Sequence, residues 1–219
     1  MKSWFARTSG GLIALALLAA GTGFARADVI MVHLTNNVFT PSEVTIATGD
    51  TVCWIWDEGV HTSTSVDGLW DSGIIGPGSM FEYTFDQAGD YAYFCSLHLE
   101  CCNMEGIIHV VDAVELSGTL TGGDADPDAT GQAAFEMRPD RTTLSVAVAG
   151  VTSTATVDVF VNGNFIGTIA LDGNGNGELD LSTLNGDNVP NLQDGDEIEV
   201  YDAADDATLV VIGNVSSGG

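Results

Sequence analysis

Apolar and polar residues alternate with period two through most of the chain after residue 28, in runs bounded by Gly, Asp, Asn and Pro. That spacing puts every second side chain on one face of an extended backbone, so it predicts strands. No stretch carries the 3.6-residue period of an amphipathic helix. A first group of runs lies near 29–35, 43–47, 50–56, 80–85, 90–95 and 106–111. Within it Val52, Trp54 and Trp56 alternate with Thr51, Cys53 and Ile55, and Phe81, Tyr83 and Phe85 alternate with Glu82 and Thr84. Each such strand offers one face to a core. A second group follows near 116–121, 131–138, 141–149, 155–161, 165–171, 177–181, 197–202 and 207–212. Between two of these runs Asn162-Gly163 is a hairpin signal, because both positions of such a turn need positive φ. The expected class is all-β, with sandwich or barrel architecture.

Only the first 27 residues break the pattern. They hold a basic start (Lys2, Arg7), an apolar run from Leu12 to Ala20 and the small-residue ending Ala25-Arg26-Ala27. This reads as a secretory signal peptide cut before Asp28. The apolar run falls short of the ~20 residues that a membrane-spanning helix needs. The mature protein is therefore expected to be exported, to the periplasm or the extracellular space, where disulfides persist. The chain carries 31 Asp and Glu against 5 Lys and Arg, and three of the five basic residues fall in that leader. Two arginines and no lysine remain beyond it, so nucleic acid and anionic lipid would be repelled as partners. At 45% hydrophobic residues and a mean hydropathy of +0.21, the chain is too apolar to stay disordered. After Asp112 aromatic residues become rare, and every His and Cys has already passed. The boundary is placed near 113–115, giving a domain at 28–113 and a second, acidic, Gly/Asp/Asn-rich β domain at 114–219.

The chemistry-bearing residues are His61, Cys95, His98 and Met104. Cys95 ends the run Asp90-Tyr-Ala-Tyr-Phe-Cys95, His98 lies three residues on, Met104 closes the following loop, and His61 comes from a separate loop after Trp54-Ile-Trp-Asp57. One thiolate, two imidazoles and one thioether form a ligand set that suits copper. Residues 28–112 resemble a cupredoxin, a blue-copper protein of the plastocyanin and pseudoazurin type. The resemblance is carried by Phe39-Thr-Pro41, Val44 through Trp54, Val60-His61-Thr62, Gly68 through Gly73 with Pro77-Gly78, Gly89 through His98, and Met104-Glu-Gly106. It implies a Greek-key sandwich in which His61, Cys95 and His98 are equatorial ligands to one type 1 copper and Met104 is a weak axial one. It also implies that the edge of His98 reaches the surface in an apolar patch, for which Leu97 and Leu99 are candidates.

This sequence departs from the family at two places. Thr62 stands beside the first histidine where Asn or Gly is common, and its N–H or hydroxyl could bond the Cys95 sulfur. The segment Leu99-Glu-Cys-Cys-Asn103 is longer than the usual ligand loop. A vicinal Cys101–Cys102 disulfide, free thiols and direct copper ligation all stay open. Pairing of Cys53 with either is disfavoured, since Cys53 lies most of a strand away from the ligand loop, about 13 Å at ~3.3 Å per residue. The first domain holds 13 acids and no Lys or Arg, which would steer a basic redox partner such as a cytochrome, or simply solvate the protein in a salty habitat. His33 and His109, on the first and last strands of this domain, could be neighbours, but no second metal is expected there. Two spare histidines are too few for a multicopper enzyme.

Asp172 through Asp180 matches the first nine positions of an EF-hand loop, but Thr183 replaces the closing acid and the flanks read as strands. A Gly/Asn turn is expected in place of a calcium site. Leu116-Ser-Gly118, Asp128-Ala-Thr-Gly131 and Leu144 through Gly150 weakly resemble CHRD-type extracellular β domains, from which no function follows. The expected function is single-electron transport by a non-enzymatic copper protein. The alternatives are a copper-delivery protein and an adhesion or matrix module with a non-essential copper site.

Overall fold

The computed structural model describes residues 27–218, so the expected leader lies outside the described residues apart from Ala27. The described chain begins with strands β1 (Val29–Thr35), β2 (Val38–Thr40), β3 (Glu43–Ala47), β4 (Thr51–Trp56), β5 (Thr64–Ser65), β6 (Met80–Thr84) and β7 (Gly89–Phe94). A single helical turn α1 (Leu99–Cys102) and strand β8 (Glu105–Val111) follow. The rest of the chain forms β9 (Val114–Gly122), β10 (Thr130–Met137), β11 (Thr142–Ala149), β12 (Thr156–Val161), β13 (Asn164–Ala170), β14 (Gly177–Ser182), β15 (Glu197–Asp202) and β16 (Leu209–Asn214), with a 3-10 turn at Thr183–Asn185. The all-β expectation holds. The short β2 and β5 and the turn α1 are additions that their length hides from any periodicity.

Two four-stranded sheets, β2-β1-β4-β6 and β3-β8-β7-β5, bury their inner faces in one cluster. β1 runs parallel to β4 and β3 parallel to β8. Val32 and Leu34, then Val52, Trp54 and Trp56, supply one wall; Ile46, Tyr93, Ile108 and Val110 supply the other. Rings lock the walls together, with Trp54 and Tyr93 at 5.4 Å and Phe39 and Tyr93 at 4.6 Å, both edge-on. Each fully buried aliphatic side chain here contributes roughly 1.5–3 kcal/mol. β4 does not have the one-sided burial that its alternation predicts. Cys53 is only 4% exposed, because β4 is a central strand whose outer face is covered by its neighbours, with Met31 and Glu82 directly opposite Cys53. Burial, and then Glu82, push its thiol pKa up.

His33 and His109 are not neighbours. They lie in different sheets and engage different acids, because β1 and β8 face each other only through the core. His33 Nδ1 lies 2.7 Å from Asp57. His109 contacts Asp90 at 2.6 Å, its direct cross-strand partner, and Glu43 at 3.2 Å. The Asp90 hydrogen bond leads the causes that raise the His109 pKa. A histidine pKa raised in the folded state stabilises fully below the unfolded value and loses that contribution as pH rises through the folded value. The thermal midpoint of the wild type should therefore fall toward that of His109→Gln as pH rises above the unfolded value of ~6.5. A gap independent of pH would refute the assignment.

The remaining strands form one sheet of order β13-β12-β15-β16-β9-β10-β11-β14 around a separate apolar cluster that includes Leu120, Val146, Val159 and Val200. It is barrel-like: its two end strands meet, and a Cβ on Gly167 of β13 would sit 2.9 Å from Leu179 of β14. The Asn162-Gly163 hairpin is present with φ of 48° and 72°. The EF-hand-like stretch is the turn from β13 to β14. Asp172 folds back to accept the N–H groups of Asn174 (2.8 Å) and Asn176 (2.9 Å), which holds its carboxyl below the usual range. Thr183 accepts from the Thr142 N–H at 2.9 Å.

Both arginines that follow the leader sit where the two clusters meet. They flank the β10–β11 turn Arg138-Pro-Asp-Arg141, closed by the Arg138 N–H to Arg141 carbonyl bond at 2.8 Å. Arg138 is buried and bonds the buried Asp50, with Glu136 at 3.3 Å; Arg141 reaches Asp28 at 2.5 Å. Asp50 also accepts the N–H groups of Asp28 and Ala47, each at 2.8 Å.

Candidate metal centre

The loop after β4 carries His61. Trp56, in the core, donates its indole N–H to the His61 carbonyl at 3.1 Å, and reciprocal backbone bonds to Ile75 at 3.1 Å hold the residue from the other side. The ring Nε2–H donates to the Glu58 carbonyl at 3.0 Å. That bond fixes the tautomer, leaving Nδ1 as the free lone pair. Burial, with the His98 imidazole beside it, lowers the His61 pKa and favours the neutral ring.

Cys95 follows β7 directly and is fully buried. The chain then turns sharply: the His98 N–H bonds the Cys95 carbonyl at 3.1 Å, and the Cys95 N–H bonds the Met104 carbonyl at 3.0 Å. The loop is thus pinched at its base, with α1 hanging from it. The His98 carbonyl lies 3.2 Å from the Cys102 N and 3.4 Å from the Met104 N, bonded to both.

The result is a convergent triad. His61 Nδ1 and His98 Nδ1 lie 3.1 Å apart, and Cys95 Sγ lies 3.9 Å from the first and 3.4 Å from the second. All three donors fall within 4.8 Å of one another. Two inward imidazole nitrogens and a buried sulfur, with no carboxylate among them, match the donor chemistry of a thiolate-selecting transition metal such as copper. Met104 is buried beside Cys95 in the same cluster and is bound to it through the backbone.

The sulfur has a further partner. The Thr62 N–H donates to Cys95 Sγ at 3.3 Å, while the Thr62 hydroxyl accepts from the Ser96 N–H at 2.9 Å. Thr62 therefore bonds the sulfur through its backbone, and its side chain ties the His61 loop to the Cys95 loop. Cys101 and Cys102 are paired with each other, and Cys53 is free.

Three supporting residues escape the sequence reading: Glu58 and Trp56, which act through a carbonyl and an indole N–H, and Gly59. Gly59 has φ +74°, and a Cβ there would lie 2.7 Å from His61 Nε2. Its only signal was a turn-forming Glu-Gly pair just ahead of a candidate ligand. Gly59→Ala should swing the His61 ring and weaken metal binding by roughly 10–100-fold. Copper competition against a chelator, with near-ultraviolet circular dichroism as the control for folding, measures this; unchanged affinity would refute it.

Comparisons with known proteins bear on the same segment. A family model described as copper binding proteins, plastocyanin/azurin family, matches residues 29–111. Plastocyanin of Scenedesmus fuscus is 34% identical over 85 residues, covering 33% of this chain and 86% of the relative. Chloroplastic plastocyanin of Tetradesmus obliquus is 37% identical over 73 residues, covering 28% of this chain and 50% of the relative. Among solved structures, an oxidized amicyanin mutant is 26% identical over 37% of this chain and 81% of its own, with a TM-score of 0.35. A purple cupredoxin from Nitrosopumilus maritimus is 26% identical over 37% of this chain and 99% of its own, with a TM-score of 0.33.

Proposed function

The chain belongs to the plastocyanin/azurin family of copper-binding proteins, and from that premise we propose that it is an exported carrier of single electrons, not an enzyme. The observation that carries this reading is the convergence of His61, Cys95 and His98 on one point at the end of a rigid sandwich. Copper bound there would supply one-electron exchange between Cu(II) and Cu(I). His61, Cys95 and His98 would hold it, with Met104 as a weak fourth ligand. The chain's own part is to keep these donors still. The Glu58 carbonyl and Trp56 indole fix the His61 ring, the Thr62 N–H holds charge on the sulfur, and the pinch at Cys95 and Met104 stiffens the loop. A cage that resists rearrangement lowers the cost of changing charge.

His98 is the member of the triad that is not fully buried, and Leu97 beside it is exposed. This supports electron exit through the His98 edge. The acidic surface supports a basic redox protein, such as a cytochrome, as the partner. We further propose that the chain divides near residue 113 into a copper domain and a β domain used for attachment or docking. The leader-like first 27 residues support export to the periplasm or beyond. A copper-delivery role is favoured only by the exposed Cys101 and Cys102.

The test is an optical and EPR spectrum of the copper-loaded protein, followed by reduction with a basic cytochrome across a salt series. The expected result is a strong thiolate charge-transfer band and reversible one-electron cycling that slows with salt. A colourless copper complex, or a loaded protein that no one-electron donor reduces, would overturn the reading.

A further inference from the structure

The Cys101–Cys102 pair has no structural task that its position can explain. It lies in α1, a four-residue turn with no buried residue, so it is part of no core. A cross-link stabilises by removing freedom from the unfolded chain, an effect that grows with the length of the loop it closes. Neighbouring residues close almost no loop. Both cysteines are exposed residues, which opens the pair to attack by an incoming thiolate.

Their placement is particular. The pair sits on the segment that joins two candidate copper ligands, His98 and Met104. Cys101 Sγ lies 3.8 Å from the His98 carbonyl, and Cys102 Sγ lies 3.7 Å from the Asn37 amide on the β1–β2 turn. The remaining thiols, Cys53 and Cys95, are buried.

We propose that Cys101–Cys102 is a reducible pair whose dithiol form binds one Cu(I) at the mouth of the copper centre. An extracytoplasmic dithiol attacks the Cys101–Cys102 bond. The protein S–S bond breaks, one forms in the reductant, and the two reductant protons end on the two cysteines. Cu(I) then displaces both protons and is held by two adjacent soft thiolates, the donors that select that ion. Exchange with the disulfide of an oxidised extracytoplasmic partner re-forms the Cys101–Cys102 bond, reduces the partner to its dithiol, and so removes both donors and closes the site. The proposal rests on the copper reading for the choice of metal. The dithiol site itself does not need Cys95.

The experiment is Cu(I) titration, supplied as its bicinchoninate complex without oxygen, of the oxidised protein and of protein reduced with a phosphine and then desalted. The expected stoichiometry rises from one Cu(I) to two on reduction, with two new thiols reactive to a disulfide reagent in the folded state. Cys101→Ser/Cys102→Ser should stay at one under both conditions, and alkylation of the reduced wild type should give the same result without mutation. Cys95→Ser should still gain one Cu(I) on reduction. Equal stoichiometry before and after reduction, or no new reactive thiols, overturns the proposal. No Cu(I) bound by the oxidised protein, with one gained on reduction, would overturn the copper-centre reading and leave this site standing.

Discussion

Cys95→Ser should remove the visible charge-transfer band of the copper-loaded protein entirely while leaving the fold in place. A serine hydroxyl is neutral at neutral pH and hard, so it cannot replace the soft anionic donor that copper selects over harder ligands. The substitution changes little volume at a fully buried position, and the Thr62 N–H keeps an acceptor. Near-ultraviolet circular dichroism should therefore match the wild type. Cys53→Ser is the matched control, since Cys53 is buried in β4, away from the triad, and should keep the band. Retention of the band in Cys95→Ser would remove the sulfur from the centre.

Arg138→Ala should destabilise the protein by about 3 kcal/mol, the lower end of the range for breaking a buried ion pair. Asp50 is 3% exposed, and without Arg138 its charge keeps only the N–H groups of Asp28 and Ala47. For a chain of this size the loss corresponds to a fall of roughly 6–12 °C in unfolding midpoint. The double variant with Asp50→Asn should recover part of it, because no charge is then stranded. A drop below about 1 kcal/mol would place this pair among ordinary surface bridges.

How far the sequence reaches depends on the range of the interaction. β4 and β8 were legible because alternation is a local property, and the triad was legible because Cys95 and His98 share a loop and His61 follows a recognisable strand. Cys53 was misjudged because the burial of an outward face depends on which strands flank β4, which alternation does not encode. The same blindness left it open whether His33 and His109 are neighbours. Arg138 and Arg141 read as two stray cations in an acidic chain. Their work as the junction's anchors appears only when the β10–β11 turn meets Asp28 and Asp50, far apart in sequence. The segment Leu99–Asn103 could be flagged as unusual, but the pairing of its cysteines needed coordinates.

The meeting of β13 with β14 carries a consequence for assembly. A sheet that presents bare backbone at its rim invites another chain to add a strand, and can seed uncontrolled polymerisation. Here Gly167 lets the two rims pack against each other, so neither is offered to a passing peptide. Any molecule that engages this half of the protein must grip its turns and outward side chains.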